Sequence, residues 1–300
     1  MGPRPAVALA RRRVKASARV AVERRGDSSE VVDRRAQAPL SIRRCGARVL
    51  IASSAAMPVG GDELELMIDV GPGARADIGS VAAGMVWPGI GGVASQMTTV
   101  ASVAAGGRLD LWLEPTISVV GSRHRMTTRV ELDRTASARV VEEVVLGRSG
   151  QVSGDLTLSV RIERAGGPLV HHQERFGPDA IGAGSSVGVG GARHVLSAVL
   201  VGVVAGPSRV WVEPDRAGAW MPMGDDVVVV MAAGHDRPGV LELLARLAPE
   251  LTAEITPLVA SGSRVDDDET MTPRNDRQHE GGVDDAHRAR PTATPLVRRR

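Results

Sequence analysis

Aromatic side chains are almost missing from these 300 residues: four Trp, one Phe and no Tyr. A core must therefore be built from Val, Leu and Ala, and β-branched Val is stiff at χ1 and packs well on a pleated sheet. Cysteine is limited to Cys45, which excludes an intrachain disulfide framework and a Cys-rich zinc site, and fits a reducing cytoplasm. Lysine is limited to Lys15, and the arginine that replaces it elsewhere reflects GC-rich coding more than function. Long apolar runs are lacking too. The longest, Val195–Ala205, spans eleven residues and contains Ser197 and Gly202, short of the ~18–20 that cross a bilayer as a helix. Arg11–Arg13 leads into polar and charged residues, so no secretory signal is expected and the chain reads as soluble.

Charge of one sign is scarce overall, with a net of +2, but it is unevenly spread. Residues 1–50 hold thirteen Lys or Arg against four acids. Such a segment suits RNA, DNA or an acidic protein surface. It lacks the stacking aromatics of single-strand binders, which favours a solvated or protein-facing role.

What is present is alternation. Leu64, Leu66, Ile68 and Val70 face one way and Glu63, Glu65, Met67 and Asp69 the other, directly after the corner Pro58-Val59-Gly60-Gly61-Asp62. Ala18–Glu23 and Glu30–Asp33 around Gly26-Asp27 read as a hairpin. Further strands are expected at 74–81, 108–114, 129–133, 155–163, 169–174, 195–204, 209–213 and 227–231, with a Gly/Ser-rich loop at 182–191. The closely spaced turns suggest antiparallel pairing. Asp236, Pro238 and the series Val240, Leu244, Leu247, Leu251 mark a helix that Pro249 should close. The domain reading is a disordered basic extension at 1–16, one β-rich domain at 17–255 and a disordered charged tail at 256–300.

Catalytic motifs do not emerge. No P-loop, strand–GxGxxG–helix unit or HExxH is present, and the G-x-S-x-G spacing at residues 184–188 falls inside the Gly/Ser-rich loop and not at a strand-to-helix turn. His171 and His172 would point to opposite faces of a strand and cannot easily chelate one ion. Within Ala138–Arg148, a strand would place Glu142 with Val140, Val144 and Leu146, and Glu143 with Val141 and Val145. One carboxylate must then face an apolar side and needs a partner, a water or a cation. An ion pair with Arg139 or Arg148 is one reading, and a carboxylate lining a polar passage or partner groove is the other. Asp62 is read first as a turn residue bonding its own backbone, and second as facing a cavity.

Three landmarks in consistent order over residues 18–250 resemble the urease accessory protein family UreD, called UreH in some bacteria. They are the glycine corner with Gly73-Ala74-Arg75-Ala76, the segment Leu111–Ile117 leading to Thr128–Leu132, and Glu142 followed by Leu146-Gly147-Arg148, Gly154 and Gly167-Pro168-Leu169. Ala55-Ala56-Met57-Pro58 and Gly79–Trp87 depart from the family pattern. The resemblance implies a β-helix-like stack of antiparallel and mixed strands, all-β dominated, with one or two short helices near the C-terminal end of the core. It further implies a non-catalytic, cytoplasmic scaffold or chaperone of urease maturation. Its partners would be urease apoprotein, UreF and the GTPase UreG, serving GTP-dependent nickel insertion. No cofactor would be tightly bound, and nickel would pass transiently through an internal water-filled passage, for which Asp62, Glu142 and Arg148 are the candidate lining residues. Neither nucleic acid nor a membrane is an expected partner. The alternative is a β-rich polyanion or nucleic-acid binder that uses the Arg-rich N-terminal segment.

Overall fold

The alternating segments all become strands; the hairpin read at residues 18–33 holds, but through the middle of the chain short turns carry successive strands to the opposite sheet. The computed structural model describes residues 13–183, 185 and 188–252. In chain order these form β1 (Lys15–Arg25), β2 (Ser28–Ala36), β3 (Leu40–Cys45), β4 (Arg48–Ser53), β5 (Glu63–Val70) and β6 (Arg75–Ser80). There follow β7 (Gly84–Val86), β8 (Ser95–Val103), β9 (Arg108–Trp112), β10 (Thr116–Ser118), β11 (Arg123–Leu132) and β12 (Ser137–Leu146). The C-terminal part adds β13 (Asp155–Arg164), β14 (Gly167–Phe176), β15 (His194–Val201), β16 (Arg209–Val212), β17 (Arg216–Pro222), β18 (Val227–Gly234), α1 (Arg237–Leu247) and α2 (Pro249–Thr252).

The first sheet runs β14-β13-β11-β8-β5-β1-β2 and the second β16-β17-β18-β15-β12-β9-β6-β4-β3. Pairs from β1 to β13 inside the first sheet, and from β4 to β12 inside the second, are parallel. This corrects the antiparallel expectation. Turns such as Gly71–Ala74 and Ala104–Gly107 carry the chain from one sheet to the other, so successive strands of one sheet are a full coil apart. The result is a β-solenoid of about four turns, whose coils begin at Glu63, Ser95, Arg123 and Asp155, roughly thirty residues apart. Antiparallel strands cap it: β2 and β14 at the edges of the first sheet, and β3 and β15–β18 in the second. The alternation of β5 holds, with Leu64, Leu66, Ile68 and Val70 buried between the sheets. Strands β3, β4, β7, β8, β10 and β17 were not read from the sequence, and Lys15 and Ala16, assigned there to the extension, already belong to β1. Of the segments expected to be disordered, 1–16 and 256–300, residues 1–12 and 256–300 lie outside the described residues.

The glycine corner is a close crossing of backbones. A β-carbon on Gly60 would run into the Val93 carbonyl oxygen and the backbone of Gly89, and Gly61 has φ +92°, the left-handed region that glycine enters without strain.

Helix α1 starts where expected. The Asp236 carboxylate accepts the Gly239 N–H at 2.8 Å, and Pro238 sits in the first turn. Its buried Val240, Leu243, Leu244 and Leu247 cover the outer face of β15, β17 and β18, each contributing about 1.5–3 kcal/mol. Strands β12 and β15 are consequently buried on both faces. Val140 and Val199 enter the core between the sheets, while Val141 and Leu196 enter the core beneath α1.

Candidate functional site

Burial on both faces of β12 means that both of its carboxylates are buried, one on each side. Glu142 follows Val140 toward the space between the sheets. There, apolar packing is interrupted by a polar layer one residue deep. Thr128 lies between Met126 and Val130 on β11, Glu142 between Val140 and Val144 on β12, and Ser197 between Val195 and Val199 on β15. All three are buried, as is Thr99, the register neighbour of Thr128 on β8. Glu142 and Ser197 are also direct register neighbours. The Thr128 hydroxyl donates to Glu142 Oε1 at 2.6 Å, while Ser197 Oγ is buried without a hydrogen-bond partner among the described residues. Desolvation pushes the Glu142 carboxyl up to about 7, against the opposing pull of the Thr128 hydrogen bond.

Glu143 points the other way and is fully supplied with donors. Arg237, the first residue of α1, binds it in a fork with Nε to Oε1 at 2.8 Å and Nη2 to Oε2 at 3.0 Å. His194 Nε2 lies 2.7 Å from Oε1, and Trp112 Nε1 donates to Oε2 at 3.2 Å. Burial alone would raise this carboxyl, but the hydrogen bonds from His194 and Arg237 outweigh it and hold it below the usual range. Arg237 also reaches Glu114 at 3.0 Å.

Both glutamates border a cavity of about 350 Å³ whose wall includes Met57, Met97, His124 and Met126. The His124 imidazole is buried with Nδ1 2.9 Å from Ser95 Oγ, and burial lowers it to about 4, so it is neutral at physiological pH. Three larger hollows, about 390, 580 and 840 Å³, lie elsewhere and hold none of the buried titratable residues. The smaller cavity is therefore the candidate site.

Of the three residues singled out in the sequence, Glu142 lines this cavity and the other two do not. Asp62 is buried at the glycine corner, where its carboxylate accepts the Val59 N–H at 2.8 Å and the Val14 N–H at 3.0 Å. It thus closes the turn and ties the start of β1 to it. Arg148 stacks 5.4 Å from the centroid of Trp87, a lining residue, and its Nε donates to Gln151. Neither Arg148 nor Arg139 pairs with a β12 carboxylate. Arg139 turns to Asp110 at 3.6 Å, and the cation that neutralises Glu143 comes instead from Arg237. Thr128, His194 and Arg237 went unread, because nothing local links them to β12. The Asp236 cap was the only available pointer, since it fixes Arg237 at the head of α1.

His171 is exposed and His172 half-buried on opposite faces of β14, as their spacing required, with Glu174 raising His172. No group of three or more His, Cys, Asp or Glu that could hold a metal occurs among the described residues. No described helix is long and apolar enough to cross a membrane. The basic N-terminal segment is paired in part by the fold: Lys15 with Glu63, Arg19 with Asp69 and Arg48 with Asp77, besides local pairs at Arg24, Arg25 and Arg35.

Fold and site together define a β-solenoid whose perturbed carboxyl borders a half-open cavity. A profile of the UreD urease accessory protein family matches residues 14–267. The urease accessory protein UreD of Parafrankia sp. (strain EAN1pec) is 33% identical over 285 residues, covering 86% of this chain and 96% of that protein. Those of Frankia alni and Streptomyces avermitilis are 34% and 32% identical over 67% and 74% of this chain, and 72% and 92% of their own lengths. The chain belongs to the UreD urease accessory protein family, and like the members of that family it is non-catalytic.

Proposed function

We propose that this protein is the cytoplasmic scaffold that holds urease apoprotein together with the accessory proteins UreF and UreG while nickel is inserted into the urease active site at the expense of GTP. Family membership supports the maturation role. The observation that carries a direct part in nickel handling is Glu142: a carboxyl without a cationic partner among the described residues, its pKa raised to about 7, at the inner edge of a half-open cavity and flanked by Thr128 and the unpartnered Ser197 hydroxyl. Nickel here is cargo. A weak oxygen donor that exchanges its proton close to physiological pH can take up and release a divalent ion without trapping it. Asp62 and Arg148 act in this reading by position, Asp62 by closing the corner and Arg148 by backing the Trp87 wall.

Deletion of the gene should abolish urease activation, and unchanged activity would refute the maturation role. Restoring the gene with Glu142→Ala should slow nickel activation while co-purification with UreF and UreG is retained. Wild-type activation by that variant would remove Glu142 from the nickel path. Binding to DNA or heparin that falls steeply with salt would instead favour the polyanion reading, because counterion release scales with the phosphates neutralised.

A further inference from the structure

Four of the ten methionines, Met57, Met85, Met97 and Met126, line the cavity that His124 also lines. We propose that this set binds a soft monovalent cation, Cu(I), in the same cavity that Glu142 borders but through donors other than that carboxyl. Strand register builds it. Met97 on β8 and Met126 on β11 are direct neighbours in a parallel ladder, so their side chains leave one face of the sheet about 4.8 Å apart. His124 stands two residues before Met126 on that face, about 6.6 Å along the strand. The Ser95 hydroxyl 2.9 Å from Nδ1 fixes the ring, as hydrogen-bond partners fix metal-bound imidazoles; in the tautomer that donates Nδ1–H to it, with the hydroxyl proton on the Arg123 carbonyl, Nε2 is the ligand atom. Met57, buried in the segment before the glycine corner, brings a further thioether to the same space, and Met85 lies part-exposed on its wall.

The chemistry of the donors selects the ion. Thioether sulfur is uncharged and polarizable. It suits Cu(I), whereas divalent nickel and zinc prefer imidazole, thiolate or oxygen. Unbranched methionine side chains can converge from adjacent register positions onto one ion with little backbone movement. Two sulfurs and one imidazole nitrogen would give Cu(I) three donors in the cavity wall.

The test uses the full chain carrying Cys45→Ser, so that the single exposed thiol does not compete. Under reducing, anaerobic conditions it should withdraw one equivalent of Cu(I) from a bicinchoninate complex. Changing Met97 and Met126 together to Leu should weaken that withdrawal by at least about tenfold, as should His124→Phe, because each removes a soft donor. Met223→Leu, at the exposed surface, should leave it unchanged. Leucine nearly conserves methionine volume, so methionines that merely fill space would be replaced without effect. Addition of Ag(I) to protein labelled at its methionine methyls should move the two resonances that Met97→Leu and Met126→Leu each delete. These single variants decide the question if the double variant unfolds. Unaltered withdrawal by the Leu variants, absence of withdrawal by the Cys45→Ser protein, or unmoved Met97 and Met126 resonances would overturn the proposal. Urease activation is not the readout, so failure here leaves the maturation reading as it stands.

Discussion

Glu142 and Glu143 are chemically identical neighbours driven in opposite directions by the two sides of one strand. The Glu142 carboxyl holds its proton to about pH 7 in the folded protein but ionises near 4.5 in the unfolded chain. Between those values the folded state binds more protons, so stability falls as pH rises through that window and is level above it. A shift of this size corresponds to an upper limit of about 3 kcal/mol. In urea melts at pH 8, Glu142→Gln should therefore be more stable than the parent by up to about 3 kcal/mol, and the gain should shrink toward zero near pH 5. A difference independent of pH would show that the carboxyl is not held neutral by burial. Glu143 has the opposite sign. Its lowered pKa contributes stability above the unfolded value, and that contribution is lost as acid protonates it. That one of the pair had to face an apolar side was legible in the alternation of β12. Which donors each would find was not, because Thr128, His194 and Arg237 come from other elements.

At the scale of elements, α1 converts an outer sheet face into a second core and closes the far side of β12. Its docking has an apolar part, Val240, Leu243, Leu244 and Leu247, and an ionic part, the Arg237 fork on Glu143. Because Arg237 is part-exposed while Glu143 is not, the loss falls mainly on the carboxylate left short of its partner. Arg237→Ala should cost about 2 kcal/mol. It should also speed hydrogen exchange in α1 more than in the coils, and equal acceleration throughout would mean that the fork does not anchor the helix. The helix itself was readable because capping and a 3.6-residue period are local signals. The parallel pairing of β5, β8 and β11 was not, because each turn looks the same whether it returns the chain beside its own strand or onto the opposite sheet.

For the whole molecule, the shared strands β12 and β15 tie the solenoid core to the core beneath α1. Damage in either should be felt in both. Leu66→Ala, far from α1 and fully buried in β5, should cost about 3 kcal/mol. Far-UV circular dichroism and the fluorescence of buried Trp220 should still report one shared transition at a lower temperature. Separated transitions would mean that the two cores unfold independently. The charge pattern also changes meaning at this scale, since Glu63, Asp69 and Asp77 return from later coils to pair Lys15, Arg19 and Arg48. A sequence window that looks cationic is thereby neutralised in part, at three of its basic residues.

The sequence by itself determined the predominance of strands, the inward face of β5, the capped helix and the order of landmarks that marks the family. These follow from side-chain period and from backbone geometry that only certain residues tolerate, both of which act over a few neighbouring positions. Only the tertiary structure decided the parallel coiling, the polar layer around Glu142, the Arg237 fork on Glu143 and the convergence of methionines with His124. Each of those joins positions on different strands or on a strand and the helix, and what brings them together is strand register and burial on the faces of the sheets, which no short stretch of chain encodes.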